Sequence, residues 1–275
     1  MSAEQSTSVQ LDKVQSASLQ SAVSAGTPIM FSIVRTHYQR LGFWRTLIGG
    51  HSMYLTIPLF IFLHITVVTV MYRVLLAPLL GLPRLDSSRY IILDRHRIEP
   101  LHWFDKFNCL FCSYANGIIK LMNDELDGLA SSRARAPVWA MPFVELYALV
   151  NAFLLVIGLV MSTVVLQVIA KCLGLHRGSM RRIKSKLLAQ GYAAHYSPRH
   201  RGLILFYKMV AMVVAYNLEQ IESAWCPLKH LPLEGRVFPE HHDRFYDRDA
   251  LDDLHRVLAA DGTVSQLKPK PPGRA

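Results

Sequence analysis

Two stretches of this chain are apolar almost without a break. Met53 to Leu82 reads MYLTIPLFIFLHITVVTVMYRVLLAPLLGL, interrupted by Pro58, His64, Arg73 and Pro78. Val138 to Ala170 reads VWAMPFVELYALVNAFLLVIGLVMSTVVLQVIA, with Glu145 and Asn151 as its polar members. Each exceeds the ~20 residues a helix needs to cross a bilayer. A third run, Leu203 to Leu218, is shorter and contains Lys208. It can span, lie at the interface or pack as a buried helix. Ahead of the first run, residues 31–50 place Val34, Tyr38, Leu41 and Ile48 at helical spacing beside Phe43 and Trp44. Arg35, Arg40 and Arg45 add charge, the composition of a helix lying on an anionic membrane surface.

The pattern predicts an all-α, helical integral membrane protein. Two long apolar helices or hairpins form its base, with a third candidate span and helical or loop segments outside the membrane. Pro58, Pro78, Pro142 and Gly158 are the places where a hairpin would bend. The chain divides into a disordered tail (1–28), the basic interfacial helix (29–52) and membrane segment 1 (53–82). An extramembrane loop with a C-x-x-C helix follows (83–137), then membrane segment 2 (138–170) and a basic connector (171–202). The third apolar helix (203–223), a Cys/His-containing region (224–265) and a flexible tail (266–275) complete it.

Composition agrees. Of 275 residues, 51% are hydrophobic and 18% charged, below the roughly 25% charged of soluble domains. The net charge of +10 suits an anionic membrane face as well as nucleic acid. Position decides, because residues 171–202 carry eight Lys and Arg with no Asp or Glu directly after a span. That stretch is read as cytoplasmic, with the lipid bilayer and a membrane protein as partners and no nucleic acid. The N-terminus, MSAEQSTSVQ, has neither the basic start nor the apolar core of a secretory signal.

Chemistry concentrates in two places. In residues 94–118, Cys109 and Cys112 form a C-x-x-C. The stripe His102, Asp105, Cys109, Cys112, Asn116 falls on one helical face, opposite Trp103, Phe107, Leu110 and Tyr114. Pro100 is placed to begin this helix. In residues 217–246, Glu219, Glu222 and Cys226 share a face, His230 follows in a C-x-x-x-H, and His241–His242 is a solitary pair. Together Cys109, Cys112, Cys226 and His230 are a tetrahedral ligand set for zinc, with iron as the alternative. The same residues also read as a redox dithiol or as cysteines packed as small hydrophobes. Cys172, at the end of the second run, is read as a packing residue. Asp94, Arg95 and Arg97 are read as ion-pairing residues that hold their loop. His64 and Glu145 either meet across two helices or are hydrogen-bonded separately.

The segment DRHRI…W-x-x-K-x-NC-x-x-C-x-YANG, with CPLKH further on, resembles a group of uncharacterised bacterial integral membrane proteins. The resemblance covers roughly residues 90–120 and 224–246. It implies a multi-pass protein of the bacterial inner membrane and brings no activity with it. No G-x-S-x-G, phosphate loop, G-x-G-x-x-G or H-E-x-x-H occurs. The functional expectation is a membrane scaffold or accessory protein with a structural Cys/His metal site joining the two motifs. The alternative is a membrane oxidoreductase using a metal centre or a redox dithiol.

Overall fold

The computed structural model describes residues 32–94, 97, 101–134, 137–173, 180–189, 191–226, 228–230 and 235–245. The two predicted tails, Pro100 and Arg95 lie outside them. Among the described residues the fold is all-helical, with no strand. In chain order the helices are α1 (Ser32–Leu41), α2 (Phe43–Tyr54) and α3 (Ile57–Phe62), then a π-helical stretch (Leu63–Leu76) and α4 (Ala77–Leu80). α5 (Trp103–Ser131), α6 (Met141–Leu173), α7 (Met180–Ala189) and α8 (Pro198–Trp225) follow.

Gly42, at φ 82°, separates α1 from α2. From Phe43 to Leu80 the chain is then one rod, because Leu55 and Thr56 keep right-handed helical torsions. α6 is likewise a single helix of 33 residues, about 50 Å at 1.5 Å per residue. The hairpin alternative is therefore replaced by straight helices. Pro58 and Pro78 are each the second residue of their segments, and the rod runs on through both. Pro142 is the second residue of α6.

Among the described residues, three helices are long and apolar enough to cross a membrane: Phe43–Leu80, Met141–Val160 and Pro198–Trp225. The first two pack antiparallel, with the Thr66 carbonyl accepting from the Tyr147 hydroxyl and Leu59 lying against Gly158. Lys208 does not disqualify the third. Its ammonium donates to Asp127 Oδ1 at 2.7 Å and to the Asn123 carbonyl at 3.2 Å.

The segment between the first two spans does not gather at one end of the bundle. At Pro83 and Leu85 it accepts hydrogen bonds from Tyr72 and Arg73, and by Asp94 it reaches His230. α5 then runs lengthwise along both neighbours. It meets the first rod at Tyr54–Asn108, His64–Tyr114 and Arg73–Glu125, and α8 at Asn116–Glu222 and Asp127–Lys208. The connector after α6 also covers the bundle's length. Ile169 packs with Trp225 and Cys226 at one end, whereas Tyr192 and Tyr196 donate to Leu126 and Leu129 at the other. α6 and α8 are consequently parallel.

Candidate metal centre

α5 turns its predicted polar stripe inward. Asp105, Cys109, Cys112 and Asn116 are buried, whereas Trp103 and Phe107 are exposed. The helix begins on His102, whose Nδ1 accepts from the Phe104 N–H. Next to Asn116, Gly117 lets the returning backbone cross α5 at close range. A Cβ there would lie 2.5 Å from the Tyr90 carbonyl oxygen and 2.9 Å from Ile91 Cα. This crossing carries the chain on to Asp94. α8 ends one turn past Glu222, with the Cys226 N–H donating to the Glu222 carbonyl. That last turn brings Glu222 and Cys226 to the same end of the bundle.

Glu222 is the centre of that end. Its Oε2 accepts from Asn116 Nδ2 at 2.8 Å and lies 3.1 Å from His241 Nε2 and 2.9 Å from His242 Nε2. Both histidines come from the short 3-10 turn Glu240–Arg244, which lets two adjacent rings point at one carboxylate. Phe245 closes over the pair, with ring centroids at 5.3 Å from His241 and 4.9 Å from His242. One ligand atom from each of Glu222, His241 and His242 falls within 4.8 Å of the others, and all three residues are buried. Two imidazoles and a carboxylate are a donor set for zinc or iron, and Asn116 holds the carboxylate from outside.

The four residues singled out in the sequence divide around this centre. Cys109 and Cys226 meet, Sγ to Sγ at 3.6 Å, although they are 117 residues apart. Cys112 is buried on the same helix. His230 turns instead to Asp94, with Nδ1 2.5 Å from Oδ1. Its ring stacks on Phe238 at 4.9 Å and lies 5.0 Å from the His242 ring. Asp94 thus has a partner, and that partner is an imidazole. Cys172 is half-buried at the end of α6. The His64–Glu145 contact does not form. His64 bonds the Tyr114 hydroxyl at 2.9 Å, and Glu145 pairs with His200 and Arg199 at the far end of the bundle.

α1 secures the same end as the cysteines. His37 Nε2 bonds the Trp225 carbonyl at 2.9 Å, and the two rings stack at 4.4 Å. Gly50 allows Trp225 to seat, since a Cβ there would stand 3.1 Å from the indole. No protein-family profile, curated protein or solved structure matches the chain.

Proposed function

We propose that this protein is a membrane scaffold or accessory protein built around one divalent transition metal ion, zinc first and iron second. Glu222, His241 and His242 hold the ion. The observation that carries the reading is the convergence of these three buried ligand atoms within 4.8 Å. The ion ties the Glu240–Arg244 turn to α8 and, through Asn116, to α5. It therefore acts as a staple between segments far apart in sequence, and its binding adds to folding free energy.

A second reading, a membrane oxidoreductase, is favoured by the Cys109–Cys226 approach at 3.6 Å. Two thiols this close need only a short movement to reach the ~2.05 Å of a disulfide. The bacterial inner membrane remains the proposed location, with the bilayer and a membrane protein as partners.

Metal content per mole of detergent-purified protein tests the proposal. About one zinc or iron is expected in the wild type. E222Q, H241A and H242A should each lose it, and a double variant should lose little more stability than a single one. C109S and C226S should keep the metal. Metal lost from the cysteine variants but kept in E222Q would place it on thiolates. A wild type that takes up neither metal after incubation with Zn²⁺ or Fe²⁺ would overturn the reading. A titratable thiol pair that depends on Cys109 and Cys226 would support the oxidoreductase.

A further inference from the structure

A cavity of about 580 Å³ lies at the other end of the bundle, where the first rod, α5, α6 and α8 meet. That volume is in the range of small-molecule sites. We propose that it seats one anionic glycerophospholipid, with an acyl chain inside and the headgroup at the mouth. The inner walls are apolar, from Met71, Leu76, Leu126, Val144 and Leu203 among others. Two tyrosines line it as well, but their hydroxyls are committed to backbone. Tyr196 donates to the Leu129 carbonyl and Tyr207 to the Ala148 carbonyl, each at 2.8 Å. What they offer the cavity is therefore ring surface. An apolar chamber gives water too few partners, whereas each methylene of a lipid chain buried there favours binding about fourfold.

The mouth has the opposite chemistry. Ser132, Arg133, His195, Ser197 and His200 gather there with, among the described residues, one carboxylate, Glu145. Arg199 lies 2.9 Å from Glu145 and offsets its charge, leaving the Arg133 guanidinium for an anion. His195 Nε2 is 2.6 Å from the Ser132 carbonyl, and His200 Nε2 is 2.5 Å from Glu145. These contacts orient both rings and leave each Nδ1 for the headgroup. Phosphate for Arg133 and headgroup hydroxyls for the imidazoles describe an anionic glycerophospholipid such as phosphatidylglycerol. Position agrees, because Trp139 is 72% exposed beside this end and exposed tryptophan marks the headgroup level. Basic pockets between membrane helices recurrently bind anionic headgroups.

Native mass spectrometry of the full chain, titrated with phosphatidylglycerol or phosphatidylcholine of identical chains, tests this. The wild type should bind phosphatidylglycerol at several-fold lower concentration. Arg133→Gln should remove about fivefold of that preference, the contribution of one basic residue at an anionic lipid. Arg133 is exposed, so the variant should fold. Leu203→Phe, which fills the chamber, should weaken both lipids alike, with unchanged thermal stability as the folding control. Equal binding of the two lipids by the wild type, or binding unaffected by both substitutions, would overturn the proposal. So would adducts of detergent alone.

Discussion

The first rod and α6 present their apolar side chains outward, whereas α5 and α8 keep their polar ones inside. Along the first rod Leu55, Ile61, Ile65 and Val74 are exposed, and along α6 so are Phe143, Leu146, Phe153 and Val160. Beyond Gly202, no residue of α8 is exposed. Its interior contacts are Lys208 with Asp127 and Glu222 with Asn116, His241 and His242. One pair of helices supplies the surface that lipid covers. Within the other pair, α8 packs against α5, α6 and α7, and there buried charge finds partners. An apolar run and a lipid-facing helix are thus separate properties. α8 has the length and composition to span, but neighbours cover it, and cover is what permits a lysine and a glutamate along it.

Removing a partner from a buried charge should disturb this arrangement most. Arg73 donates to Glu125 at 3.0 Å, and the Glu125 side chain is only 1% exposed. Arg73→Ala leaves the carboxylate uncompensated and should cost about 3–5 kcal/mol, measured by unfolding in detergent. The loss should shrink in acid, where Glu125 protonates. Burial pushes this carboxyl up to about 7 from its ordinary 4.5, against the opposing pull of Arg73. The folded state therefore binds more protons than the unfolded state between about pH 4.5 and 7. Its contribution to stability is fullest below that window, falls as pH rises through it and is level above. Glu125→Gln should remove this decline, read as the difference between the wild-type and variant stability curves from pH 4 to 8. Identical curves would show that Glu125 does not titrate in the window.

The outline of the lipid-facing pair was legible in the sequence, and so were α5 and α8 as helices; the contacts made across the inner pair were not. Long unbroken apolarity at Met53–Leu82 and Val138–Ala170 is a property of consecutive residues, so it reads directly. The inward face of α5 was legible too, because Asp105, Cys109, Cys112 and Asn116 repeat at helical steps. The centre at Glu222 depends on what meets across the fold. His241 and His242 gain a common partner only through a 3-10 turn folded back onto α8, and no local spacing encodes that return. His230 was singled out by its spacing from Cys226, whereas its hydrogen-bond partner Asp94, 136 residues away, was hidden. Glu145 was visible, and its partners His200 and Arg199 were hidden by the same long-range pairing.

A smaller loss is expected where the returning chain crosses α5. Gly117→Ala puts a Cβ 2.5 Å from the Tyr90 carbonyl, and backbone cannot swing away as a side-chain tip can. Overpacking of this kind costs about 1–3 kcal/mol. Gly202→Ala is the control, since nothing lies within 4 Å of its added Cβ. There the gain in helix propensity should leave stability unchanged or raise it by up to ~1 kcal/mol. Thermal unfolding of both variants in one detergent checks the pair. If both are equally destabilised, the crossing is not as close as described.

The least change belongs to the lipid-facing surface, and two near neighbours on α6 isolate it. Phe153 is 66% exposed and Leu155 is fully buried against the other helices. Leu155→Ala should cost about 2–5 kcal/mol, the usual loss for a core cavity. Phe153→Ala opens no cavity. The phenyl ring leaves a surrounding of acyl chains or detergent tails, which are as apolar as the ring and close over the space. The change in unfolding free energy should therefore stay within about 0.5 kcal/mol, the range of surface substitutions. The apolar demand at this position comes from insertion into the membrane, where a charge is far more costly than a smaller apolar group. Phe153→Lys should accordingly reduce the membrane-inserted fraction, by the roughly 2.5–3.5 kcal/mol of a charge at a span's centre. Should Phe153→Ala destabilise as much as Leu155→Ala, that face of α6 packs against protein and is not the lipid boundary.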